Sequence, residues 1–149
     1  MISEESTLRG DVLIPTSKSH TIRAVTIAGL AHGKSIIRHP LESGDGRAAA
    51  KAAGMFGAKI DLGGSWGVEG VGGVPRVPEN VVDVANSGTT MNFCMGTASL
   101  AEGTTVLSGD HQIVRRSVQP LIEALNGLGA EVCSTRNNGL PPIVVKGCL

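Results

Sequence analysis

Apolar residues along this chain alternate between short runs and longer helical periods. The run Val12-Leu13-Ile14 predicts a strand. Ile22, Val25, Ile27, Ala28 and Leu30 then predict a helix over about 19–31, apolar nearly all round and so buried on most sides. His32-Gly33 ends it, with Gly33 as a left-handed cap. Lys34 to Arg38 reads as the next strand. Asp45 is expected to cap a second helix over about 46–56, with Ala49, Ala52, Ala53 and Phe56 on one face and Gly57 as its stop. Lys59 to Leu62 and Trp66 to Glu69 read as a hairpin around Gly63-Gly64-Ser65.

The Gly/Pro-rich stretch 70–80 is a connector, after which the pattern restarts. Val81 to Val84 predicts a strand, and Asn86-Ser87-Gly88-Thr89-Thr90 a polar turn opening a helix. Met91, Phe93, Cys94, Met95, Ala98 and Leu100 make that helix apolar nearly all round. Thr104 to Ser108 is a strand. A helix near 116–128 carries Val118, Leu121, Ile122, Leu125 and Leu128 at helical spacing, and Pro120 is tolerated only in its first turn. Gly129 stops it. Strands 131–134 and 143–146 flank Asn137-Asn138-Gly139. Leu30-Ala31-x-Gly33 recurs as Leu100-Ala101-x-Gly103, and Gly57-Ala58-Lys59-Ile60 as Gly129-Ala130-Glu131-Val132, about 70 residues on. The fold class is therefore α/β (α+β): two tandem β-α-β-α-β-β units, one over about 11–70 and one over about 81–149.

Composition narrows the function. The 149 residues carry no formal net charge, 41% hydrophobic and 17% charged residues, the signature of a soluble globular chain. A nucleic-acid binder needs an excess of Lys and Arg, and stacking platforms need aromatics; here only Trp66, Phe56 and Phe93 are aromatic. No apolar run reaches membrane-spanning length. Residues 1–10 read as a polar tail or a strand in a neighbouring layer, and the acidic start Met-Ile-Ser-Glu-Glu-Ser is unlike a secretory signal, which points to the cytoplasm. Cys94, Cys133 and Cys148 have no metal-ligand spacing and read as free thiols. The histidines show no H-x-x-x-H pairing, so no metal site is expected.

Chemistry concentrates in Pro15-Thr-Ser-Lys-Ser-His-Thr-Ile-Arg23, where the strand expected at 12–14 turns into a helix. Free N–H groups and the positive end of the helix dipole lie there, and Lys18 and Arg23 add fixed charge suited to phosphate or carboxylate. The glycines of a Walker loop are missing. An ordinary capped helix with a surface lysine is the plain alternative. The repeat sets Asn86–Thr90 at the equivalent turn, where Gly88 lets a ligand approach the backbone and Asn86 and Thr89 add polar contacts.

Five motifs in order resemble the enolpyruvyl transferases, and within them the EPSP synthase family. They are Pro15-Thr-Ser-Lys18-Ser19-His-Thr-Ile-Arg23-Ala24, Leu41-Glu-Ser-Gly-Asp45-Gly-Arg47, Asn86-Ser-Gly88-Thr-Thr-Met91, Ser108-Gly-Asp110 with Arg115-Arg116, and Gly139-Leu-Pro141-Pro142-Ile143. The resemblance implies domains built from β-α-β-α-β-β repeats around buried parallel helices. It implies transfer of the enolpyruvyl group of phosphoenolpyruvate to a hydroxyl of shikimate 3-phosphate, through a tetrahedral intermediate, with phosphate leaving and no cofactor.

Carried onto this sequence, the resemblance assigns Lys18 to both substrates and to positioning the attacking hydroxyl. Ser19 and Arg23 would hold shikimate 3-phosphate, Gly88 would present its backbone to phosphoenolpyruvate, and Arg116 would pair with that substrate's charge. Arg115 stands beside Arg116 and leaves that choice open by one position. Asp45 and Asn86 fall at motif positions near the site; on physics alone Asp45 reads first as a plain helix cap. Asn92 stands where the family usually places arginine, and Ser117 where it usually places proline. Family enzymes are much longer, so the resemblance covers only their N-terminal part and implies a chain inactive alone and completed by a C-terminal partner chain, through an exposed sheet edge and uncovered apolar helices. Two other readings stand beside this one. The first is a UDP-N-acetylglucosamine enolpyruvyl transferase, against which Lys18-Ser19 argues, since that motif is normally Lys-Asn. The second is a non-catalytic remnant or anion-binding module.

Overall fold

The computed structural model describes residues 7, 9–12 and 14–147. The stretch Met1–Ser6, Leu13 and Cys148 lie outside the described residues. The first unit contains α1 (Lys18–Leu30), β1 (Lys34–Arg38), α2 (Gly44–Met55), β2 (Lys59–Leu62) and β3 (Ser65–Glu69). The second contains β4 (Val82–Asp83), α3 (Gly88–Ser99), β5 (Gly103–Ser108), α4 (Gln119–Gly127), β6 (Glu131–Ser134) and β7 (Ile143–Gly147). A single 3-10 turn, Ile113–Arg115, links β5 to α4.

The two sheets repeat one topology. In the first the order is β1-β3-β2, antiparallel throughout, with Ile36 opposite Gly67 and Ile60 opposite Val68. In the second it is β4-β5-β7-β6, where β5-β7-β6 repeats β1-β3-β2 and β4 joins β5 in parallel. The two amphipathic helices α2 and α4 end at matching glycines: Gly57 has φ +107° and Gly129 φ +108°, a region that L side chains avoid.

In the first unit Trp66, fully buried, packs with Ile22, Val25, Ala49 and Ala50. The larger core crosses between units, because Ala52 of α2 and Phe56, which caps its C-terminus, join Val82, Val84, Met91, Met95, Leu107, Ile143 and Val145. Helix α3 is apolar on most sides and packs against α1, α2, β5 and β7.

Four expectations need correction. Val12 and Ile14 form no strand and are 83% and 78% exposed. Their counterparts in the repeat, Val82 and Val84, are completely buried because α2 of the preceding unit lies over them. Among the described residues the first unit has no such predecessor, so the apolar run has nothing to pack on. For the same reason α1 is not buried on most sides: Ile27 is 68% exposed.

The other two concern helix starts. Ser43, not Asp45, caps α2, its hydroxyl accepting from Gly46 N–H at 3.2 Å; Asp45 lies inside the first turn. The last helix begins at Gln119 rather than Arg116. Pro120 has no N–H to give and occupies the first turn, so the chain before it forms the 3-10 turn and an extended Arg116.

Candidate functional site: two cationic helix starts

Each unit places a cation at the N-terminus of its first helix. In the first unit the Ser17 side chain accepts from His20 N–H at 3.3 Å, which fixes the start of α1. Lys18 and Ser19 occupy that first turn, and Arg23 lies exposed about one turn on. Lys18 Nζ reaches Asp45 Oδ2 at 2.8 Å, so the starts of α1 and α2 meet. Arg23 makes no ion pair among the described residues, which leaves its guanidinium available to an anion.

In the second unit Ser87 caps α3, accepting from Thr90 N–H at 3.2 Å and sharing a 2.7 Å hydrogen bond with the Thr90 hydroxyl. Gly88 is the first helical residue. A Cβ built there would lie 3.5 Å from Arg116 Nη1, so the guanidinium stands directly over the helix start. Arg116 Nη2 donates to Asn86 Oδ1 at 3.1 Å. A shallow pocket beside it is lined by Gly88, Met91, Asn92, Ile113, Arg116 and Pro141 among others. Guanidinium, helix dipole and free N–H groups converge there on one anion-sized space.

Two features lie beside the Arg116–Asn86 pair. Ala85, which precedes Asn86, has φ +50°, a left-handed conformation costing about 1 kcal/mol in a residue other than glycine. Asp110 is the second. Its Oδ1 accepts from Ile113 N–H at 3.0 Å and Gln112 N–H at 2.9 Å, and its own N–H donates to the Ala85 carbonyl at 2.9 Å. The Ile113 N–H chiefly, then that of Gln112, with His111 and Arg116 nearby, holds the Asp110 carboxyl below its usual range.

The structure thus brings together Lys18 with Asp45, and Asn86 with Gly88 and Arg116. No hydrogen bond or ion pair links these two clusters among the described residues, although α1 and α3, which carry them, pack side by side. Arg115 stays exposed on the 3-10 turn, while Arg116 is the residue bonded across to Asn86. Sequence reasoning missed the work of Ser43 and Asp110. Both have a local signal, a Ser or Asp three residues before the N–H it accepts from. Among the described residues no cluster of His, Cys, Asp and Glu could hold a metal ion, and no helix is long and apolar enough to cross a membrane.

Two α/β units that repeat one topology, each with a cation set at the start of its first helix, define a tandem-repeat α/β protein. The family profile described as EPSP synthase (3-phosphoshikimate 1-carboxyvinyltransferase) matches residues 2–149. Similar proteins of that name include those of Acetivibrio thermocellus, 52% identical over 97% of this chain, and Ruminiclostridium cellulolyticum, 47% identical over 97%. An EPSP synthase structure from Acinetobacter baumannii is 27% identical and superposes over 93% of the chain with a TM-score of 0.86. This chain belongs to the EPSP synthase family. It spans about a third of its relatives' length: 34% of each of those two proteins and 32% of the Acinetobacter structure.

Proposed function

We propose that this chain supplies the N-terminal part of an EPSP synthase, a transferase of the shikimate route to the aromatic amino acids, working in the cytoplasm. The observation that carries the reading is the Arg116 guanidinium over the start of α3, bonded to Asn86 and facing Gly88. That arrangement suits the phosphate or carboxylate of phosphoenolpyruvate. Lys18, Ser19 and Arg23 suit the anionic groups of shikimate 3-phosphate. Lys18 touches both substrates and positions the attacking hydroxyl, while Arg116 and the helix start stabilise the departing phosphate.

The partner is the complementing remainder of the same enzyme. Its need follows from the exposed apolar residues Val12, Ile14 and Ile27 on the first unit, where the second unit has Val82 and Val84 covered. One face of a cleft does not exclude water, so the chain alone does not turn over.

Calorimetric titration of shikimate 3-phosphate alone into the complemented protein, with the KM for phosphoenolpyruvate read from phosphate release, tests the assignment. Lys18→Ala and Arg23→Ala should weaken the first substrate, and Arg116→Ala the second. Each loses a charge-assisted contact worth roughly 1.5–3 kcal/mol, about 10–100-fold in affinity or KM. Unchanged affinity in the first two variants and unchanged KM in the third would remove the assignment.

A further inference from the structure

Lys18 and Asp45 come from different helices, yet their charged atoms lie 2.8 Å apart. Their side chains differ in freedom: that of Lys18 is 54% exposed, that of Asp45 only 22%. The carboxylate is built in. Ser43 caps the helix start that carries it. Gly46 lies so close to Leu41 that a Cβ would stand 2.8 Å from the Leu41 carbonyl and 3.3 Å from the Trp66 ring. Leu41 N–H donates to the Thr21 hydroxyl at 2.9 Å, and that hydroxyl donates to the Ser17 carbonyl at 3.1 Å. The segment before α2 is therefore tied to the first turn of α1, with Asp45 at a fixed distance from it.

Lys18, by contrast, has a flexible four-carbon stem and stands at the positive end of α1, where the helix dipole disfavours a cation. The rigid partner sets the position of the flexible one. We propose that Asp45 is a positioning residue for Lys18: it takes one of the three ammonium donors and aims the others at the substrates. It acts through Lys18 and does not touch substrate. This rests on the transferase reading above.

The charge of Asp45 makes the role separable. A carboxylate beside the site repels anionic substrates, so its removal does not weaken their binding by charge. Asp45→Asn in the complemented protein should lower kcat on the order of 10–100-fold, the cost of a misplaced catalytic contact. KM for shikimate 3-phosphate should stay level or fall. Asp45→Glu, which restores the charge from a longer arm, should recover part of the lost kcat and covers the case in which the Asn variant folds poorly.

On this chain alone, acetylation of Lys18 followed by peptide mapping, with Lys51 as internal reference, should run faster in Asp45→Asn. A kcat within twofold of wild type in both variants, or a raised KM with kcat kept, overturns the positioning role while the transferase reading stands. Turnover absent from the wild-type complemented protein overturns the transferase reading, and this proposal with it.

Discussion

Single side chains tie the second cationic cluster together, and Asp110 is the pivot. It accepts from Gln112 and Ile113 and, through its own N–H, joins the turn bearing Arg116 to Ala85. Because its folded-state pKa lies below the ordinary value, its contribution is complete above that value and is lost as pH falls through the folded one. Exchange of the Gln112 and Ile113 amides should therefore quicken only in acid below the usual carboxylate range; Asp110→Ala should show the quickened exchange already at neutral pH. Gly88 makes the complementary case. An added methyl finds its nearest neighbour, Arg116 Nη1, at 3.5 Å, which is ordinary contact. Gly88→Ala should leave the urea midpoint unchanged, yet weaken phosphoenolpyruvate binding by filling the space before the helix start.

At the scale of elements, a helix start is worth what its cap supplies. Ser87→Ala removes the acceptor for Thr90 N–H and should cost about 1 kcal/mol in urea unfolding. Trp66 links β3 to α1 and α2 and is completely buried, so Trp66→Ala should cost about 3–5 kcal/mol. Elements with local causes were legible in the sequence. The glycines at 57 and 129 stop their helices because the left-handed turn is a property of that one residue. Pro120 bounds its helix from within the first turn, though the start at Gln119 was missed because Val118 continues the apolar spacing. Val12-Leu13-Ile14 reads as a strand by composition, but among the described residues Val12 and Ile14 meet neither a partner strand nor an apolar layer. The site was legible only in part. Motifs point to Lys18, Gly88 and Arg116, whereas the pairs Lys18–Asp45 and Arg116–Asn86 join segments far apart in the chain, and only folding specifies them.

Across the whole molecule, the units are welded by a shared core rather than strung on a linker. Cys94 lies in that core, and burial pushes its thiol up to about 12; Cys133 is exposed. Iodoacetamide should modify Cys133 in the folded chain and reach Cys94 only as the units unfold together; early Cys94 labelling would mean they separate first. The same architecture leaves Ile27, Val12 and Ile14 exposed and sets cations at the starts of α1 and α3. The most direct test is phosphate release from shikimate 3-phosphate plus phosphoenolpyruvate. It uses this chain, the remaining two-thirds of the family enzyme as a separate chain, and the two mixed. Release in the mixture alone, abolished by Lys18→Ala, is the expected result. No release from the mixture, with both chains shown to be folded and associated, would contradict the assignment.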